Sequence, residues 1–277
     1  MKALKKLITV LTLSTLGFAF NTTAAPINLW DWQVDTAFTG YTPALPDLTV
    51  TASDDNAYWA SQGPIAATKL AWGTPFAPGV TQSSLERTGH NNGFGSNVGT
   101  GLALGALAQT TTLVHNNFVI TGDTLLGATL STRLLLDPNP TDGMYDVSPT
   151  ALNFNIDFLE TSNSAPCAVV ISPQPCNDIF VISPIANLNQ GFMLDGYDYN
   201  IEILVDGLGV LSDAACMAAG AASGCSGFTT EEGEVNDFDV NIRITSLGIT
   251  TIPEPSTILL LSLAMFGIVA SSRSKHS

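Results

Sequence analysis

The chain has 277 residues, with 24 Asp and Glu against 9 Lys and Arg, giving a formal net charge of −15 at pH 7. A body this acidic repels nucleic acid and anionic membrane surfaces, which argues against both as partners. Divalent cations and cationic or neutral polymers stay compatible with it, and the charge also keeps a protein soluble without any specific partner.

Lys2, Lys5 and Lys6 precede an apolar run over residues 7–20, and small residues follow as far as Ala24, Ala25 and Pro26. That order predicts a secretory signal peptide over residues 1–24, read by Sec-type export and signal peptidase. Cleavage is expected after Ala24 or Ala25, with Ala24 favoured because proline directly after the cut is disfavoured.

Residues 25–252 leave roughly 230 residues for the body, enough for one β-sandwich or two small domains. The region 27–110 is irregular and holds all four tryptophans, Trp30, Trp32, Trp59 and Trp72. Within it residues 28–34 read as an opening strand, and 99–108 as a short strand or a packed turn. Residues 118–120 are expected to pair with a strand over 125–136 across the Thr121-Gly122-Asp123 turn. Strict alternation marks the second half: Leu152, Phe154, Ile156 and Phe158 face one way, and Asn153, Asn155 and Asp157 the other. The same period of two recurs over 197–205 and 238–245, with a shorter run at 178–182. Turn-rich joins such as 137–143 and 183–187 separate these runs. The expected fold is all-β, an antiparallel β-sandwich with long turn-rich loops.

Cys167, Cys176, Cys216 and Cys225 form an even set behind an export signal, which implies disulfides. Three connectivities exist. The nine-residue spacing within each pair favours two local loops, Cys167–Cys176 and Cys216–Cys225. A four-cysteine metal site uses tighter pairs and does not suit this spacing.

At the C-terminus Pro253, Glu254 and Pro255 lead into an apolar run over 258–270, closed by Arg273 and Lys275. The run is shorter than the ~20 residues of an ordinary bilayer span. Thr257 and the flanking serines extend it, and the two cations can snorkel to the headgroups. A transmembrane sorting helix is expected here, transiently anchoring the chain through residues 257–270. Its basic end lies in the cytoplasm and the body outside.

Two stretches carry a family resemblance. The proline–glutamate–proline triplet, apolar span and basic end resemble the sorting signal of PEP-CTERM exported proteins. Leu113, His115 and Asn117, with the apolar Phe118, Val119 and Ile120 after them, resemble the signature of the Thr-His-x-Asn group of that class. Trp72-Gly73-Thr74-Pro75 and Gln82-Ser83-Ser84-Leu85 look like its upstream part. Where the group has threonine before the histidine, this chain has Val114. The resemblance implies processing at Pro253, Glu254 and Pro255 by an exosortase, an integral-membrane cysteine protease. The domains are then a signal peptide (1–24), an extracytoplasmic β-sandwich (25–252) and a sorting signal (253–277). The destination is the inner membrane as precursor, then the cell surface or extracellular matrix.

No catalytic constellation stands out. His115 reads as a hydrogen-bonded structural histidine that fixes a turn with Asn116 or Asn117, in preference to a metal site shared with His90. Asp137, Asn139, Asp142 and Asp146 supply hard oxygen ligands of the kind calcium takes in extracellular proteins, with solvated acidic loops as the simpler reading. Asp54-Asp55-Asn56 and Glu231-Glu232-Gly233-Glu234 are weaker versions of the same pattern. No other cofactor or metal is expected. Tyr58 and Trp59 are the candidate exposed aromatic pair for carbohydrate. The leading reading is a non-enzymatic surface or extracellular-matrix protein of a biofilm. The alternative is a module that binds extracellular polysaccharide, and the third reading is an extracellular hydrolase.

Overall fold

The computed structural model describes residues 25–43, 47–52, 57–89, 97–138, 144–167, 169 and 176–249. The expected signal peptide with Ala24, the sorting tail with Pro253, Glu254 and Pro255, His90, Asn139 and Asp142 lie outside the described residues. The fold is all-β and antiparallel, as the alternation implies.

One hydrogen-bonded sheet of 14 strands curls so that its two halves face each other. The first half runs β12 (Asn189–Leu194), β13 (Tyr197–Val205), β16 (Val235–Ile249), β7 (Leu107–Asn116), β5 (Ser83–Gly89) and β3 (Ala67–Trp72), with β2 (Thr49–Ala52) beside β3. The second half runs β1 (Leu29–Thr42), β9 (Gly127–Asp137), β10 (Leu152–Leu159), β11 (Asp178–Ser183), β15 (Ser226–Thr230) and β14 (Gly209–Val210), with β6 (Asn97–Ala103) beside β1. The halves join where Phe38 of β1 meets Ala67 of β3.

Alternation buries one face of each half against the other. Leu70, Trp72, Leu85 and Leu113 from the first half pack on Leu130, Phe154, Phe158 and Phe180 from the second. At the opposite end Trp30, Trp32 and Leu136 pack on Tyr197, Tyr199 and Ile244. Gly99 of β6 is dictated by this packing, because a Cβ there would stand 2.4 Å from the Trp32 ring. Between the two clusters lies a crevice with a cavity of about 70 Å³, lined by apolar side chains including Phe154, by threonines and by Gln190.

One expected strand pairing fails. Residues 118–120 do not pair with the strand that follows them. Instead β8 (Ile120–Thr121) pairs with β4 (Thr74–Pro75) in a separate two-stranded ribbon. Ser83 explains the departure: its hydroxyl donates to Phe118 O and accepts from Phe118 N, drawing that segment to the start of β5.

The disulfides join Cys167 to Cys176 and Cys216 to Cys225. The first closes the loop between β10 and β11. The second pins the short helix Asp213–Ala218 ahead of β15, where Ala215 packs on Ile179 and Val181. Among the described residues no helix is long and apolar enough to cross a membrane.

A buried polar layer at the candidate functional site

Strand ends from both halves meet at one rim of the sandwich. Trp72 closes β3, Ser83 opens β5, His115 stands next to the end of β7 and Asn117 follows it. Facing them, Glu160 follows β10, Asp178 opens β11, Thr230 closes β15, and Glu232 lies on the turn into β16. Antiparallel pairing makes this convergence unavoidable: the end of one strand sits beside the start of its neighbour, as Asp178 does beside Thr230. The segments that carry the family resemblance, around Trp72, Ser83, His115 and Asn117, are thus brought together on one side of the layer.

His115 is fully buried. Its ring stacks on Trp72 with centroids 5.9 Å apart and meets Phe158 and Phe180 edge-on. Nδ1 lies 3.0 Å from Thr230 Oγ1. Burial pushes its pKa down to about 3, so the imidazole is neutral. Asn117 clamps the β15–β16 turn. Its N–H donates to Glu234 O, its carbonyl accepts from Gly233 N, and its Nδ2 donates to Thr230 O at 3.4 Å. These contacts give His115 and Asn117 a positioning role in the turn.

The carboxylates are the unexpected part. Glu160, Asp178 and Glu232 bring ligand oxygens within 4.8 Å of one another. Trp72 Nε1 donates to Glu160 Oε2 at 3.1 Å, and Thr161 N donates to Asp178 Oδ1 at 2.7 Å. Thr161 is itself held by its hydroxyl on Cys176 O, so the first disulfide steadies the approach to Asp178. Glu160 Oε1, Asp178 Oδ2 and both oxygens of Glu232 have no partner among the described residues. Burial raises all three carboxyls above the usual range. The charge of Glu232 adds to the shift of Glu160, and the charges of Glu160 and Glu232 add to that of Asp178. Three of the four cations in the body are committed elsewhere: Lys69 pairs with Glu86, Arg133 with Asp35 and Arg243 with Glu202.

Sequence reading reached His115, Asn117 and, weakly, Glu232, but not Glu160 or Asp178. Each stands alone at a strand end, 18 positions apart, and neither belongs to an acidic run. The available signal was the phase of two neighbouring strands: Glu160 continues the inward face of Phe154, Ile156 and Phe158 on the alternating β10, and Asp178 shares a face with Phe180 and Ile182 on β11, which is apolar throughout.

The other candidate residues lie elsewhere. Asp137 is buried at the end of β9, and Asp146 is exposed. The expected exposed aromatic pair is not one. Trp59 is 5% exposed and donates through Nε1 to Asp35 O, and Arg133 lies over the Tyr58 ring at 3.6 Å. The short helix Ala57–Gln62 packs on β1, which turns the pair inward and leaves no flat platform for a sugar.

A family model described as the PEP-CTERM protein-sorting motif matches residues 251–274. A comparison with curated proteins returns no match. The tail read from the sequence and the matched motif coincide at Pro253, Glu254 and Pro255, so the chain is an exported protein that carries a PEP-CTERM sorting motif and is sorted by an exosortase.

Proposed function

We propose that the body is a non-enzymatic surface or extracellular-matrix protein of the Thr-His-x-Asn group, delivered by processing at Pro253, Glu254 and Pro255. The observation that carries this reading is the sorting motif at residues 251–274, whose chemistry is that of a protease substrate. The interior geometry supports a non-catalytic body. The open crevice is lined by apolar residues, threonines and Gln190, whereas His115 and the carboxylates sit in a separate buried layer. A hydrolase needs a base, a nucleophile or water, and substrate in one place.

The test is fractionation of producing cells that carry the full chain or its Glu254→Ala variant. The wild-type chain is expected in the surface or matrix fraction with its tail removed, and the variant in the membrane fraction at precursor mass. Identical distribution and mass for both would overturn the reading.

A further inference from the structure

Glu160 and Asp178 share one feature beyond their proximity. In each, one oxygen is fixed by a protein donor, Trp72 or Thr161, and the other has no partner. That is how carboxylate ligands are held: the outer hydrogen bond sets the orientation and the free oxygen faces the ion. Oxygens bound to one calcium at 2.3–2.6 Å stand at most about 5 Å apart, and the trio meets that limit at 4.8 Å.

An independent observation comes from the other half of the sandwich. Asn117 is fully buried, and its three bonds to Thr230, Gly233 and Glu234 bracket Glu232. Oδ1 itself is left without a partner, a buried neutral acceptor on a residue whose backbone is bonded to the turn that carries Glu232. A buried amide oxygen with no donor is costly unless something positive completes it. Every orphaned atom in this donor set is an oxygen, which suits a hard cation; the flexible 6–8-fold coordination of calcium tolerates such a set better than strict octahedral magnesium does.

We propose that Glu160, Asp178 and Glu232, with Asn117 Oδ1, form a buried calcium site that ties the ends of β10, β11 and β15 to the end of β7. Calcium here joins the two halves of the curled sheet at the rim opposite the Trp30 cluster. Extracellular calcium modules bind in the range of roughly 10⁻⁴–10⁻³ M, so the site fills after export.

The experiment uses the full chain, purified in a non-ionic detergent and stripped with EGTA. Terbium is titrated in while Trp-sensitised emission is followed, then displaced with calcium, and melting is recorded in EGTA, calcium and magnesium. Calcium is expected to displace terbium and to raise the melting temperature by about 5–10 °C at roughly a hundredfold excess over its dissociation constant. Asp178→Asn and Glu232→Gln should each weaken binding at least roughly tenfold, about 1.4 kcal/mol, whereas Asp146→Asn should change nothing. Glu232 lies half-buried on a turn, so its variant carries the test if Asp178→Asn fails to fold. Trp72→Phe removes the donor that orients Glu160, so it should dim the terbium signal and weaken calcium binding as well. No calcium shift in the wild-type chain would overturn the proposal. A shift that survives Glu232→Gln and vanishes in Asp146→Asn would overturn it too, by assigning calcium to the exposed loop.

Discussion

Asp35 and Asp178 are both buried acids in one sandwich, and among the described residues Asp35 pairs with a cation whereas Asp178 lies beside two further acids. Asp35 sits mid-strand on β1, and the β1–β9 register sets Arg133 directly opposite. Arg133 Nε reaches Asp35 Oδ2 at 3.0 Å, Gln33 takes Oδ1, and Tyr58 covers the guanidinium. Asp178 opens β11, where the register sets Thr230 opposite, and the acids nearest to it are Glu160 and Glu232. A ladder interior delivers a chosen partner through its register. A rim gathers whatever strand ends and turns bring, and here they bring three acids. The difference is that register closes the Asp35 burial with a cation of the chain, whereas at the rim the proposed calcium would do so.

The comparison breaks most visibly at Arg133. Arg133→Met strands a buried Asp35 and should destabilise the protein by about 3 kcal/mol. Denaturant unfolding should give the same loss in EGTA and in calcium, because the two sites share no residue. A loss that calcium repairs would mean that the two regions are coupled.

Asp178→Asn should act with a sign that depends on calcium. In EGTA at pH 8 it replaces a buried carboxyl that the folded state must hold protonated while the unfolded state ionises it, and should stabilise by roughly 1–2 kcal/mol. In calcium it removes a ligand and should destabilise relative to the wild type. Loss of stability in both conditions would mean that the carboxyl is held by the protein alone.

The pH dependence sharpens the same point. Burial raises Glu160 to about 7 and Asp178 to about 9, above their unfolded values. The folded state therefore binds more protons than the unfolded one, and this contribution to stability is lost as pH rises through those values. His115 is neutral in both states above its unfolded pKa, so it adds nothing in this window; below it, its depressed pKa opposes the carboxyls. In EGTA, stability should fall from about pH 7 to about pH 9, and saturating calcium should flatten the slope. A rise over this range in EGTA would contradict the buried carboxyl layer.

Tyr58→Leu is the mildest change. It removes the ring from beneath Arg133 and should cost about 0.5–1 kcal/mol, with the calcium response unchanged in melting curves.

Strands were legible where one face is wet. Phe154, Ile156 and Phe158 alternate with polar neighbours, and Tyr197, Tyr199 and Ile201 do the same, so β10 and β13 stand nearly where the pattern sets them. β1 was read only in part. Val34 through Phe38 are buried without a break because the helix Ala57–Gln62 covers the second face of β1, and a strand covered on both sides has no period of two.

By itself the sequence determined the sorting motif and the all-β class, and it singled out His115 and Asn117 in one short segment. Those are local properties: a run of apolar residues, an alternation, a spacing. Tertiary structure alone decided that Trp59 is buried, that Ile120 pairs with Pro75, and that Glu160, Asp178 and Glu232 share one pocket of space. Strand order is set by which apolar faces pack and which ladders close, and no residue states its own neighbour across a sheet.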